Sequence, residues 1–253
     1  MREEKKMQFK DARELLKTLL KEHEALKQLD LVINSRALKN EEAIGNPDRK
    51  DFPLLTGKEV LLQAEVGGHI GQAFTSDPIA YQGSIQGVLE QPSERLGNQA
   101  LLVATLNAVA CKLGFAERTI HCVDNEPETC AQKISQMVLE RHGRCKIGII
   151  GYQPAILENC VEVFGAENIH ISDLNRNNVG SFRHGVKVLD GLTDTEAVVA
   201  FADVMLITGS VLANGTGQSV LAELAHKPFY LFGTTCAGLA HFNHFERLCP
   251  MSK

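Results

Sequence analysis

The sequence predicts an α/β protein in which an α+β first half leads into a second half built on a parallel, Rossmann-like sheet. Three observations carry this. From Lys146 onward, short apolar runs alternate with helical segments, the sequence pattern of βαβ units. Before residue 116, two strand-like runs flank a Gly-Gly turn and are followed by a long helix rich in small residues. The 253 residues are 44% hydrophobic and 23% charged, enough apolar material for one large or two modest cores.

In the first half, Phe9, Ala12, Leu16, Leu19, Leu20 and Leu26 recur at intervals of three and four, so Phe9 to Leu29 is expected as a packing helix with one buried face. Leu31 to Ser35 reads as a short strand, and Lys39 to Asp51, holding Gly45, Asn46 and Pro47, as a loop. Val60 to Ala64 and Ile70 to Phe74 form a hairpin, because Gly67-Gly68 supplies the positive φ values of a tight turn. Ser84 caps a short helix ending near Glu90. Arg95 to Leu113 is a helix closed by Gly114, and Ala100, Ala104, Ala108, Ala110 and Cys111 let another backbone approach it. That contact serves an interdomain or a homo-oligomer interface equally well. Asn107 lies in this apolar run, where a buried amide must find partners or cost about 1 to 3 kcal/mol.

Midway, T-I-H-C-V-D-N-E-P-E-T-C packs His121, Cys122, Asp124, Glu126, Glu128 and Cys130 into a dozen positions. These include nearly every side-chain type that binds a transition metal. Pro127 suits the first position of a helix running to Arg141 and closed by Gly143, which places Cys130 in the first turn. The competing account makes the thiols and imidazole ordinary buried groups and the carboxylates a capping set that complements the helix dipole.

The second half reads strand Lys146 to Gly151 (K-I-G-I-I-G), helix Pro154 to Phe164, strand Asn168 to Ser172, and strand Val186 to Leu189. Helix Thr195 to Phe201, strand Asp203 to Thr208, a helix reaching His226 and strand Phe229 to Phe232 follow. Ligands of open parallel sheets bind outside the carboxyl ends of the strands. Tyr152, Gln153, Asp173, Asn175, Thr208, Gly209, Ser210, Asn214, Thr216, Gly233, Thr234 and Thr235 therefore share one rim, although ordinary strand-to-helix turns use the same residue types. The dinucleotide fingerprint G-x-G-x-x-G is missing, while Asp173 stands where a ribose-binding acid would.

A net charge of -5 with no basic block argues against nucleic acid, and the absence of a long apolar run argues against a membrane span or signal peptide. A cytoplasmic protein is expected. Seven cysteines, an odd number in a chain this large, read as reduced thiols. Cys236, His241, His244 and Cys249 form a second ligand-like set with an uncommon zinc spacing.

The runs E-E-A-I-G-N-P, G-Q-A-F-T-S-D-P, T-I-H-C-V-D-N-E-P-E-T-C-A, I-G-I-I-G-Y-Q-P-A-I-L-E, D-L-N-R-N-N-V-G, L-I-T-G-S-V-L-A-N-G-T and F-G-T-T-C-A-G-L-A with R-L-C-P cover nearly the whole chain. Together they resemble a family of unknown function labelled "putative heavy-metal chelation". The resemblance implies a domain like the N-terminal domain of enolase over residues 1–116, a Rossmann-like domain over 117–253, and a site in the cleft between them. Enolase's catalytic barrel has no counterpart here, so its chemistry does not transfer.

Two functions are expected from these readings. The first is binding of a transition metal (zinc, nickel, cobalt or copper) or a metal chelate, with His121, Cys122, Asp124, Glu126 and Cys130 as ligands. The second is an enzyme using a nucleotide-type cofactor, NAD or S-adenosylmethionine, on the rim. Small molecules or metal ions are the expected partners in both.

Overall fold

A computed structural model describes residues 9–27, 33–57, 59–224 and 226–253. The expected ends of the first helix at Leu29 and the start of the first strand at Leu31 lie outside them.

Helix α1, Ala12–Glu22, opens on a capping box in which the Asp11 side chain accepts from the Glu14 amide and Glu14 reaches back to the Asp11 amide. It ends earlier than its periodicity predicts, and a single 3₁₀ turn, Glu24–Lys27, carries Leu26 into the core. Strand β1 is Ile33–Ala37, and the polar loop after it contains one helical turn, α2, Asn40–Ala43. The hairpin forms as expected from β2, Val60–Val66, and β3, His69–Thr75, with Gly67 and Gly68 at φ 56° and 80°. Strand β4, Tyr81–Gly83, completes an antiparallel sheet in the order β3-β2-β1-β4. Ser84 then caps α3, Ile85–Leu89, by accepting from the Gly87 amide.

Helix α4, Leu96–Lys112, is buried along almost its whole length, which explains why its apolar residues show no single face. Its small residues have a direct use. A Cβ at Gly71 of β3 would stand 2.2 Å from the Ala108 amide nitrogen and 2.3 Å from the Ala104 carbonyl oxygen, so the strand lies directly on the helix backbone.

Helix α5 is Glu126–His142, followed by β5 (Ile147–Ile150), α6 (Pro154–Phe164), β6 (Ile169–Asp173), β7 (Phe182–Arg183) and β8 (Val186–Asp190). Then come α7 (Thr195–Phe201), β9 (Val204–Thr208), α8 (Gly217–Glu223), β10 (Phe229–Phe232) and α9 (Ala237–Phe242). The second sheet has the order β10-β9-β5-β6-β8-β7 and is parallel except for its edge strand β7. Strand β5 is buried throughout, as its unbroken apolar run requires. Helices α5 and α6 cover one face together with Ile147 and Ile149, and α7 and α8 cover the other with Met205 and Ile207. The α/β class is the one expected.

The two sheets share a core through α4, which packs on β3 and on α9. Asn107 rivets this junction. Its Nδ2 donates to the carbonyls of Gln72, Thr234 and Thr235 at 3.0, 3.3 and 3.0 Å, and its Oδ1 accepts from the Gly238 amide at 2.8 Å. The buried amide is thus fully used, and the small-residue helix makes its close contacts within the chain.

Candidate functional site

The strand order places one topological switch. From β5 the chain winds through α6 to β6 and on to β8, then returns through α7 to β9 on the other side of β5. The loops after β5 and β9 diverge there, leaving a crevice at their carboxyl ends. Gly151 ends β5 at φ 92°, where a Cβ would stand 2.3 Å from the Thr208 Cγ2, so only glycine lets the two loops meet.

Over this crevice lies a cleft, open to solvent, with walls from both halves of the chain. Phe52, Leu54, Glu59 and Phe74 come from the first half, and Gly151, Tyr152, Thr208, Ser210 and Thr235 from the second. One wall carries His121, Cys122, Cys130 and Cys249. The three residues are buried at 5, 7 and 8% exposure, and the Cys130 thiol lies beside those of both Cys122 and Cys249. The neighbouring Cys122 thiol, followed by burial, pushes the Cys130 thiol up to about 11, and the Cys130 thiol with burial raises that of Cys249 well above its ordinary value. Helix α5 begins one residue before Pro127, at Glu126, which leaves Cys130 past the first turn rather than in it, where the dipole has little reach.

His121 packs edge-on against Phe74, and its Nδ1 lies 3.2 Å from the Ala43 carbonyl oxygen. A carbonyl can only accept, so Nδ1 carries the proton and Nε2 keeps a lone pair. Burial pushes the imidazole down to about 4, which keeps it neutral.

The junction carboxylates are engaged elsewhere. Asp124, at φ 55°, accepts from the Asn46 amide at 2.8 Å and donates its own amide to the Ile44 carbonyl. Glu126 accepts from the Val123 amide at 2.8 Å and lies 3.3 Å from the Lys253 ammonium. Glu128 pairs with Arg49, which also pairs with Glu158 on α6. These bonds fasten the loop of residues 45–57 over the cleft. Among the described residues, no three His, Cys, Asp or Glu side chains converge closely enough to hold a metal ion.

The rim of the parallel sheet divides between two adjoining compartments. Tyr152, Gln153, Gly209, Gly233 and Thr235 face the thiol-lined cleft. Asn175, Asn214 and Thr216 face a polar compartment, while Asp173, Thr208 and Ser210 border both. Thr234 is fully buried and faces neither. Much of this polarity supports the loops themselves: Gln153 caps α6 through the Ile156 amide, Asn214 accepts from Thr216, and Thr235 accepts from the Phe74 amide. Asp173 does the same, accepting from the amides of Tyr152 and Asn175, both at 2.7 Å, and from the Asn178 side chain at 3.2 Å.

Two residues of the cleft lie outside the expected set. Glu59 borders both compartments, and burial followed by the nearby Asp173 charge pushes its carboxyl up to about 7. A lone acid before an apolar strand carries no local signal. Cys249 belonged to the C-terminal ligand-like set, which separates in space. Cys236 is buried with its thiol toward the Phe232 and Gly233 carbonyls, and His241 is exposed beside Phe115 and Phe242. His244 is exposed as well.

Residues 133–245 match the family model DUF364, described as "Putative heavy-metal chelation". This segment is similar to the DUF364 family. The fold is similar to the crystal structure of a DUF364 protein of unknown function from Pyrococcus horikoshii, with a TM-score of 0.51 and 16% identity over 87% of this chain and 79% of that one. A DUF364 protein of unknown function from Desulfitobacterium hafniense DCB-2 gives a TM-score of 0.49 and 14% identity over 74% and 73%. At these identities the likeness concerns the fold alone. No curated protein matches the chain. The DUF364 match takes in the whole rim from Tyr152 to Thr235, whereas His121, Cys122 and Cys130 precede it and Cys249 follows it.

Proposed function

We propose that this protein binds a soft transition-metal ion carried by a small chelating molecule, in the cleft between the two sheets. The observation behind this reading is the wall on which three thiols and a neutral imidazole face one cavity. Thiolate and imidazole suit zinc, copper(I), nickel and cobalt. A bare ion needs three or four donors already converging, and these do not converge. A chelated ion brings most of its own ligands and needs only one or two from the protein. The His121 Nε2 lone pair is available as the first of these. A Cys122, Cys130 or Cys249 thiolate would be the second, with its proton released as the metal binds. The family description agrees with such a role.

Titration of the reduced protein with cobalt(II), alone and as its cationic 2,2′-bipyridine complex, tests this. Thiolate-to-cobalt absorption is expected with both, at lower concentration for the complex, and is expected to vanish in the Cys122→Ser, Cys130→Ser, Cys249→Ser triple variant. Absorption that survives in the triple variant rejects this site.

The switch-point position also favours a second reading, a nucleotide-type cofactor such as NAD or S-adenosylmethionine on the rim. Against NAD, no Lys or Arg stands among the described residues of either compartment to pair a phosphate. A thermal shift with NAD at millimolar concentration would favour this reading over the first.

A further inference from the structure

The polar compartment has a one-sided charge. Its floor and borders hold the carboxyl groups of Glu59 and Asp173, its mouth those of Glu196 and Glu223, and its described lining contains no Lys, Arg or His. Acidic side chains at a protein surface are commonplace, but a second feature of this compartment points inward. Ser172, next to Asp173 at the carboxyl end of β6, lines the compartment with 0% exposure, and its hydroxyl has no hydrogen-bond partner among the described residues. A buried hydroxyl left without a partner costs about 1 to 3 kcal/mol, so such a group calls for a ligand or an ordered water. Thr208 and Ser210 add two hydroxyls 3.1 Å apart on the side shared with the thiol-lined cleft.

We infer that this compartment binds a small organic cation, a protonated amine seated between Glu59 and Asp173 with Ser172 accepting one of its N–H groups. An ammonium group has three donors and no acceptor, which matches the carboxylate and hydroxyl oxygens of this lining. Phosphates and carboxylate-rich molecules would meet four like charges and no cation, and are rejected on the same ground. Asp173 is held in place by the Tyr152 and Asn175 amides and the Asn178 side chain, and since a carboxylate offers about four acceptor sites it keeps about one free. Glu59 has Asp173 on one side, the Tyr152 phenol and the His121, Cys130 and Cys249 wall on the thiol side, and Glu196 and Glu223 across the compartment. A cation is the only charge that stabilises all four carboxylates together. This inference rests on reading the cleft as a ligand site and does not require a metal there.

Calorimetric titration of the whole chain in metal-free buffer with three four-carbon probes tests it: putrescine as the cation, 1,4-butanediol as the neutral analogue and succinate as the anion. Putrescine is expected to bind at least tenfold more tightly than butanediol, and succinate not at all. Glu59→Gln is expected to weaken putrescine at least tenfold and Ser172→Ala about threefold, each with an unchanged far-ultraviolet circular dichroism spectrum. Equal affinities for the three probes, no putrescine binding at millimolar concentration, or undiminished binding by both variants would overturn the inference. Because no probe contains a metal, failure here leaves the cobalt experiment standing, and failure of that experiment leaves this one standing.

Discussion

The thiol of Cys249 lies beside that of Cys130 on the wall of the cleft, although one is on a segment near the end of the described chain and the other on the helix that opens its second half. Paired backbone bonds between Ile120 and Lys253, at 2.8 and 2.9 Å, hold the two segments side by side. Cys249→Ser is therefore expected to weaken the thiolate-to-cobalt absorption, while Cys111→Ser, outside the cleft, leaves it unchanged. An unaltered spectrum in Cys249→Ser would remove that residue from the donor set.

Glu59 makes the fold sensitive to pH. Its carboxyl is pushed up to about 7, against an ordinary value near 4.5, by burial first and the Asp173 charge second. The native state thus holds a proton that the unfolded chain has released. The contribution is full below about pH 4.5 and is lost as pH rises through 7. Glu59→Gln removes this penalty. Its stability gain over wild type is expected to grow between pH 5 and pH 8 to at most about 3 kcal/mol, read by urea unfolding. A gain that does not vary with pH would mean the carboxyl is not the cause.

His121 acts in the opposite sense. Burial pushes its imidazole down to about 4, so the unfolded chain takes up a proton near pH 6.5 that the native state refuses. Its contribution is present above pH 6.5 and is lost as pH falls towards 4. His121→Gln is expected to flatten the acid limb of the stability curve over that interval.

Asn107 satisfies three carbonyls and one amide from β3, the β10–α9 loop and α9. Asn107→Leu keeps the volume and strands all four groups in a buried junction, so a loss of about 3 kcal/mol or more is expected in chemical denaturation. A loss below about 1 kcal/mol would mean that water replaces the amide.

Gly71→Ala probes the same junction sterically. The added carbon would stand 2.2 and 2.3 Å from backbone atoms of α4, which cannot rotate away as a side chain could. Separating strand from helix is expected to cost about 3 kcal/mol. Wild-type stability in this variant would show that the sheet has room to shift.

What the sequence determined by itself is the set of local structures and the α/β class. The period of apolar residues located α6, α7 and β10, Gly67-Gly68 located the hairpin, and Ser84 capped its helix, because periodicity and turn chemistry act over a few neighbouring residues. The rim was legible for the same reason, since strand ends supply it. Tertiary structure alone decided how the junction peptide is used. Asp124, Glu126 and Glu128 bond to backbone amides and to Arg49 and Lys253, whereas His121, Cys122 and Cys130 are joined by Cys249 on one wall. Glu59 likewise meets Asp173 only after the two sheets have packed. Such contacts depend on which buried surfaces fit each other across the whole chain, and no spacing between neighbouring residues encodes that fit.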